Sequence, residues 1–159
     1  MRLETSPPSE LERLYRELRD PMWRALFAFA GDREVASDAV AEAFAQVMRR
    51  GEAIRSPGRW VWRAAFRIAA GELKRRAIES AELPDVADGT EEMDDLAVDL
   101  LGALATLSEK QRAAIVLHYL AGYRAGEIAG IIGSSAPAVH VSLSRARARL
   151  RELLETDDA

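Results

Sequence analysis

AGEIAGIIGSSAPAVHVSL, residues 125–143, is the stretch that decides the fold. Its apolar residues are spaced for two short helices that cross, with the small residue Ala129 at the crossing and Gly133 in the turn. Such a turn requires a positive φ, which glycine adopts without strain. We therefore predict a helix-turn-helix, although the same spacing also suits an ordinary helical hairpin. The predicted inward-facing residues are Ile128, Ile132, Val139 and Leu143.

The second of these helices has the form of a helix that enters a DNA groove. Ser135 is placed to cap its N-terminus, and Pro137 falls in the first turn, where proline is tolerated. Between Ser135 and Ser142 there is no Lys or Arg, and the arginines begin at Arg145. The front of this helix can therefore contact bases only through small groups and His140.

The composition indicates a folded protein without cysteine chemistry. The 159 residues are 48% hydrophobic, which suffices for a core, and the absence of cysteine excludes disulfides and thiolate metal sites. The net charge of −4 is unevenly distributed. Residues 78–99 hold nine carboxylates and no Lys or Arg, whereas residues 1–77 and 100–155 are mildly basic. Because charges act over a Debye length of about 10 Å, each block acts locally.

Nearly every other periodic segment also predicts a helix, and no sustained alternation or hairpin turn predicts a strand. We therefore expect an all-α protein. The first helix is expected to start near Ser9 and to kink or restart at Pro21, and Gly51 is expected to close the second. Ser108 and Gln111 have the spacing of a capping box. The predicted helices cover approximately residues 9–31, 32–50, 57–80, 97–105, 109–121, 125–132 and 135–155.

Two long segments resemble the sigma factors of bacterial RNA polymerase, most of all the extracytoplasmic-function group. The C-terminal segment contains KQRAAIVLHYL, GEIAGIIGSS and AVHVSLSRARARL, which are similar to RQR, EIA, LG and TVKSRLSRAR in the family's region four. The N-terminal segment contains GDREVASDAVAEAFAQVMRR and SPGRWVWRAAFRIAAGELKRR, which are similar to the family's region two. The resemblance covers about residues 10–77 and 100–153, in the family's order.

This resemblance implies two small helical domains joined by an acidic linker. Residues 1–78 are expected to form region two, which binds core polymerase and the −10 promoter element. Residues 79–97 are expected to form a flexible linker. Residues 98–159 are expected to form region four, whose helix-turn-helix binds the −35 element.

The resemblance also assigns contacts to the N-terminal domain. A polar face of the second helix matches the surface that docks on the polymerase β′ clamp helices, although the family's glutamine is Ala41 here. Cations of the third helix suit phosphates, and aromatic rings suit unstacked bases. For Trp62 and Phe66, core packing remains open as an alternative, and Trp60 matches a core tryptophan. The polymerase-binding residues are predicted to be Asp38, Glu42 and Gln46, and the −10 residues Arg59, Trp62, Arg63, Phe66, Arg67, Lys74 and Arg75.

For the −35 element, the family pattern has Lys and Arg where this chain has His140 and Ser142. We expect small groups to contact bases and the later arginines to contact the backbone. Other departures are Arg67, which replaces an asparagine, and Gly71, a weak point in the third helix. The predicted −35 residues are Arg124, Ser135, Ala136, Pro137, Ala138, His140, Val141, Ser144, Arg145 and Arg149.

The function implied is that of an alternative sigma factor, which directs polymerase to the promoters of a specific regulon. Its implied partners are promoter DNA and core RNA polymerase, through the β′ clamp helices and the β flap, and the family allows an anti-sigma factor. The alternative is a sigma-like interaction protein that binds polymerase or an anti-sigma factor but initiates poorly. A third hypothesis, an ordinary helix-turn-helix regulator, leaves the region-two resemblance unexplained.

Other functional classes find no support in the residues. There is no nucleophile–base constellation, phosphate-binding glycine loop or catalytic carboxylate pair, so we expect no enzyme, cofactor or small-molecule substrate. His118 and His140 form no metal motif. The longest apolar run, AAIVLHYLAG, is about half of the ~20 residues that a membrane span needs, and the N-terminus is no secretory signal. We expect a cytoplasmic protein without membrane insertion.

Overall fold

The computed structural model describes residues 9–79 and 93–157, and within these ranges all regular structure is helical. The all-α prediction is therefore confirmed. A 3₁₀ turn, Gly51–Ala53, follows the second helix. The seven described α-helices are α1 (Glu10–Ala30), α2 (Arg33–Arg50), α3 (Pro57–Glu79), α4 (Asp95–Ala105), α5 (Glu109–Tyr119), α6 (Ala125–Ile132) and α7 (Ala136–Asp157).

Short polar side chains set the starts of several of these helices. The Ser9 hydroxyl accepts a hydrogen bond from the Glu12 amide, and a carboxylate oxygen of Asp32 accepts one from the Val35 amide. The predicted capping box of α5 is present, with Ser108 and the third residue of the helix bonded reciprocally. Each bond satisfies an amide that has no partner inside the helix.

The N-terminal half is a bundle of α1, α2 and α3, each packed on the other two. The restart expected at Pro21 does not occur, because α1 continues through this residue to Ala30. Proline removes one amide donor, but the following residues Met22 and Leu26 are completely buried and anchor the helix in the core. Gly31 then ends α1 with a φ of 68°, the left-handed conformation of a helix C-cap.

In the C-terminal half, α5 and α6 pack on α7, and α4 touches the end of that assembly. Helix α4 starts at Asp95, two residues earlier than predicted, so the expected linker of residues 79–97 is too long. The reason is local: the Asp94 side chain accepts a hydrogen bond from the Ala97 amide and caps the helix at 2.8 Å. Residues 80–92 of the predicted linker lie outside the described residues.

The two halves share one hydrophobic core. Helix α3 packs on α6, and α1 packs on α5. At this seam the ring of Trp62 meets the ring of Tyr123 edge to face, with centroids 5.6 Å apart. Nearby, the guanidinium carbon of Arg112 lies 5.0 Å from the centre of the Phe29 ring. The seam therefore joins the third helix of one half to the helix-turn-helix of the other.

Candidate nucleic-acid interface

The residues that form the predicted helix-turn-helix have the expected geometry. Gly133 ends α6 with φ 69° and ψ 44°, and the Ser134 amide donates to the Ala129 carbonyl at 2.9 Å. The Ser135 hydroxyl accepts a hydrogen bond from the Ala138 amide at the start of α7. Three predicted inward residues, Ile128, Val139 and Leu143, are buried. The fourth prediction is wrong in register: Ile131 is buried, whereas Ile132 is only half-buried at the rim.

Helix α7 has an outward face opposite to its core face. At 3.6 residues per turn, Pro137, Val141 and Ala148 lie on one line, about half a turn away from the buried Val139 and Ala146. The structure leaves nine of the ten predicted −35 residues exposed and buries the tenth, Ala136, by about half. The exposed nine are Arg124, Ser135, Pro137, Ala138, His140, Val141, Ser144, Arg145 and Arg149.

The arginines of α7 differ in how freely they can contact DNA. Arg147 donates a hydrogen bond to the hydroxyl of Tyr119 at 2.7 Å and lies over its ring, so it ties α7 to α5. This contact joins residues 28 positions apart, so the spacing of residues along the chain does not predict it. Arg149 lies 3.5 Å from Glu152, whereas Arg145 is exposed and pairs with no described carboxylate. Arg145 is therefore more available to DNA than Arg147 or Arg149.

Four predicted −10 cations line the exposed side of α3: Arg59, Arg63, Arg67 and Lys74. The last three border a cleft of about 360 Å³ between the two halves. Lys110 of α5, which the sequence analysis did not single out, lies across the same cleft, and Glu109 is the one carboxylate among the described lining residues. A cleft with four cations and one anion attracts polyanions.

Two further predicted −10 residues are not positioned to contact bases. Trp62 is 2% exposed and Phe66 is 4% exposed, so neither ring can stack on a nucleotide in this arrangement. Their burial is the core packing that the sequence left open as the alternative, and the C-terminal half covers this side of α3, with Tyr123 against Trp62. Trp60, expected in the core, packs against its edge and is half-exposed beneath the guanidinium of Arg50.

The seventh predicted −10 residue, Arg75, is occupied by neighbouring carboxylates. It donates to Glu72 and to Glu79 on its own helix. These contacts raise the pKa of its guanidinium, with the hydrogen bond to Glu72 as the largest cause. Any phosphate must therefore compete with two anions for this side chain.

The predicted polymerase-binding face of α2 is one continuous polar surface. Asp38 and Glu42 are exposed, and Gln46 is half-exposed one turn further along. The Gln46 amide and the Arg49 guanidinium both donate to one Glu42 oxygen, at 3.2 Å and 2.8 Å. These bonds, that from Arg49 above all, lower the pKa of the Glu42 carboxyl. The face thus carries fixed negative charge.

The part of the chain that the structure describes holds neither a cluster of metal-ligating side chains nor a membrane-spanning helix. Nowhere in residues 9–79 and 93–157 do three or more His, Asp or Glu side chains gather as a metal would require. None of the described helices combines the length and apolar composition needed to cross a membrane.

The chain is similar to known bacterial transcription proteins. Residues 97–150 match the family described as sigma-70, region 4. The RNA polymerase sigma-E factor of Streptomyces antibioticus is 32% identical, over 94% of this chain and 87% of that protein. The sigma-E factor of Streptomyces avermitilis is 35% identical, over 66% of this chain and 68% of that protein.

Two solved structures share the fold across both halves. One is the sigma factor RpoE in complex with the anti-sigma factor NepR from Bartonella quintana, with a TM-score of 0.73 and 20% identity over 93% of this chain and 98% of that chain. The other is CnrH in complex with the cytosolic domain of CnrY, with a TM-score of 0.71 and 21% identity over 92% of this chain and 88% of that chain.

Proposed function

Because the chain belongs to the extracytoplasmic-function group of RNA polymerase sigma factors, we propose that each half contacts one promoter element while core polymerase holds both. The protein is an alternative sigma factor, and its partners are core RNA polymerase and promoter DNA. The assignment of one half to each element rests on the helix-turn-helix of α6 and α7. Its outward face is exposed beside Arg145, which pairs with no carboxylate of the described residues.

The C-terminal half, from α4 to α7, contacts the −35 element through this face. Arg145 and Arg149 contact phosphates on one flank of α7, and Arg124 contacts the backbone from the start of α6. His140 and Ser144 reach base edges, because imidazole and hydroxyl groups can both donate and accept hydrogen bonds. Phosphate contacts position the helix, and the base contacts select the sequence.

The N-terminal half, α1 to α3, contacts polymerase and the −10 element on opposite sides. The carboxylates Asp38 and Glu42 on α2 face the β′ clamp helices. The cations Arg63, Arg67 and Lys74 on the exposed side of α3 hold the phosphates of the −10 strand.

The packing of the two halves constrains how they reach a promoter. The −35 and −10 elements are roughly 25 base pairs apart, which is about 85 Å along B-DNA. Packed halves with α3 against α6 cannot cover that distance. A chain the length of residues 80–93 spans at most about 50 Å when fully extended, and the two halves add their own widths. The seam must therefore open on the promoter, and this opening uncovers Trp62 and Phe66.

The proposal also covers regulation, catalytic activity and location in the cell. An anti-sigma factor is a regulatory partner of this chain, as in the complex of RpoE with NepR. The protein has no catalytic activity of its own and works in the cytoplasm, where polymerase and promoter meet. The alternative of a sigma-like protein that initiates poorly is not favoured, since relatives that align along nearly the whole chain are named sigma factors.

Run-off transcription with core polymerase and genomic promoter fragments tests the proposal. We expect promoter-dependent transcripts that require the purified chain. Asp38→Arg should reduce binding to core polymerase, whereas Glu12→Arg, at an exposed carboxylate of α1, should leave it unchanged. Failure to bind core polymerase, together with no promoter-dependent transcript on any fragment, would refute the proposal.

A further inference from the structure

The first three turns of α7 present apolar side chains on the outward line although the helix is rich in arginine. Ser144 is the polar residue among them, and the exposed carboxylate Glu155 falls on this line only near the end of the helix. Val141 is 47% exposed on this line, Pro137 precedes it by one turn, and Ala148 follows two turns later. The arginines lie on the two flanks. Arg145 and Arg149 are on one side, and Arg147 and Arg151 are on the other. A helix that faces only water normally has its charges at the centre of the outward face.

Nothing in the fold requires an apolar side chain at Val141. The core side of α7 is already filled by Val139, Leu143 and Ala146, all buried. A β-branched residue also lowers helix propensity slightly. A single exposed valine on a surface would need no explanation. This one lies at the centre of the helix face that the proposed function places against base pairs.

The dimensions of this face match the major groove. The groove is about 12 Å wide, and a helix with its side chains is about 10–12 Å across, so the outward line meets the base edges and each flank meets one phosphate strand. Among the groups that bases present there, the thymine C5-methyl is the apolar one. An apolar line between two cationic flanks is complementary to a thymine methyl between two phosphate strands.

We propose that Val141 is a specificity-determining residue of the −35 contact and recognises the methyl group of one thymine. The inference rests on the proposed assignment of α7 to the −35 element. It explains how a recognition helix without Lys or Arg in its first two turns selects a sequence. Selection comes from methyl contact, and the flanking arginines supply the attraction to phosphate.

Replacement of thymine by uracil tests this, because it deletes only the methyl group. Polymerase loaded with the chain first selects −35 sequences from duplexes randomised in that element. Each selected thymine is then replaced by uracil. We expect one replacement to weaken binding about fourfold, the effect of burying one methyl-sized group. Val141→Ser should make binding insensitive to that replacement, whereas Val141→Thr, which keeps one methyl, should retain part of the effect.

Leu154→Ser is the matched control, because Leu154 is an exposed apolar residue of α7 outside the outward line. It should leave the uracil effect unchanged, and thermal melting should show that all three variants are folded. Selection of a −35 sequence without any uracil effect would overturn the inference and leave the proposed function standing. Failure to select any −35 sequence would instead overturn the proposed role of α7. Loss of polymerase binding in Val141→Ser, with no uracil effect, would assign the apolar line to a protein partner and overturn the inference.

Discussion

Replacement by alanine is expected to have opposite effects on stability at two glycines, one in the turn of the helix-turn-helix and one inside α3. Gly133 ends α6 at a φ of +69°, and Gly71 lies in the interior of α3 on its exposed side. A Cβ added at either position meets no heavy atom within 4 Å. Steric contact therefore contributes nothing, and backbone conformation alone decides the effect of a change to alanine.

We expect Gly133→Ala to destabilise the protein by about 1 kcal/mol, because alanine is strained in the left-handed region. We expect Gly71→Ala to stabilise it by about 1 kcal/mol, because alanine is the better helix former. For a unit of about 150 residues, each change shifts Tm by roughly 2–4 °C in its own direction. Urea denaturation followed by far-UV circular dichroism measures the difference of about 2 kcal/mol between the two variants.

Gly133→Asn provides the control for the turn, since asparagine tolerates the left-handed conformation better than alanine does. It should lie between wild type and Gly133→Ala in stability. Equal stability of wild type and Gly133→Ala would refute the reasoning, because it would mean that the turn does not need a positive φ. A Gly71→Ala variant less stable than wild type would refute the assignment of an uninterrupted α3.

The remaining predictions concern DNA contact, the seam and the charge on α2. His140→Ala should lower transcription from some promoters that differ at −35 more than from others. Arg145→Ala should weaken binding to all sequences and reduce the slope of log K against log salt by about 0.9. If both changes lowered transcription from every promoter by the same factor, this prediction would be wrong. Tyr123→Ala removes the ring against the buried indole of α3 and should cost about 2 kcal/mol in urea denaturation; unchanged stability would argue against the seam. An NMR titration should place the pKa of the Glu42 carboxyl below its ordinary range, and Arg49→Ala should bring it back. Because folding lowers the pKa of Glu42, the contact with Arg49 stabilises the folded protein fully above the ordinary pKa range of a glutamate. This stabilisation is lost as the pH falls through the lowered pKa. An unchanged pKa of Glu42 in Arg49→Ala would contradict the assignment.

The sequence predicted the features that depend on neighbouring residues. Helix α1 starts after Ser9, Ser108 forms the expected capping box with Gln111, and Gly133 adopts the positive φ expected of the turn. Each of these is decided within one turn of helix, so the residue types suffice. The start of α4 was missed although its cap, Asp94, is equally local, because the surrounding acidic residues had indicated a linker.

The features that the sequence did not predict depend on contacts between distant segments. Trp62 is buried and Trp60 is half-exposed because the C-terminal half covers one side of α3. Neither the pairing of Trp62 with Tyr123 nor the bond from Arg147 to Tyr119 follows from spacing along the chain. A helix can be recognised from its period, but the period does not say which neighbouring segment covers it.

The single core shared by the two halves has a consequence for regulation. Arg112 lies at the seam, its Nε has no hydrogen-bond partner among the described residues, and burial lowers the pKa of its guanidinium. A cation held in this way is better solvated once the halves part, and this offsets part of the free energy that packing of the seam provides. Linkage then applies. A ligand that binds only the packed arrangement lowers the affinity for the promoter by a certain factor. The promoter lowers the affinity for that ligand by the same factor, even where the two do not contact the same residue.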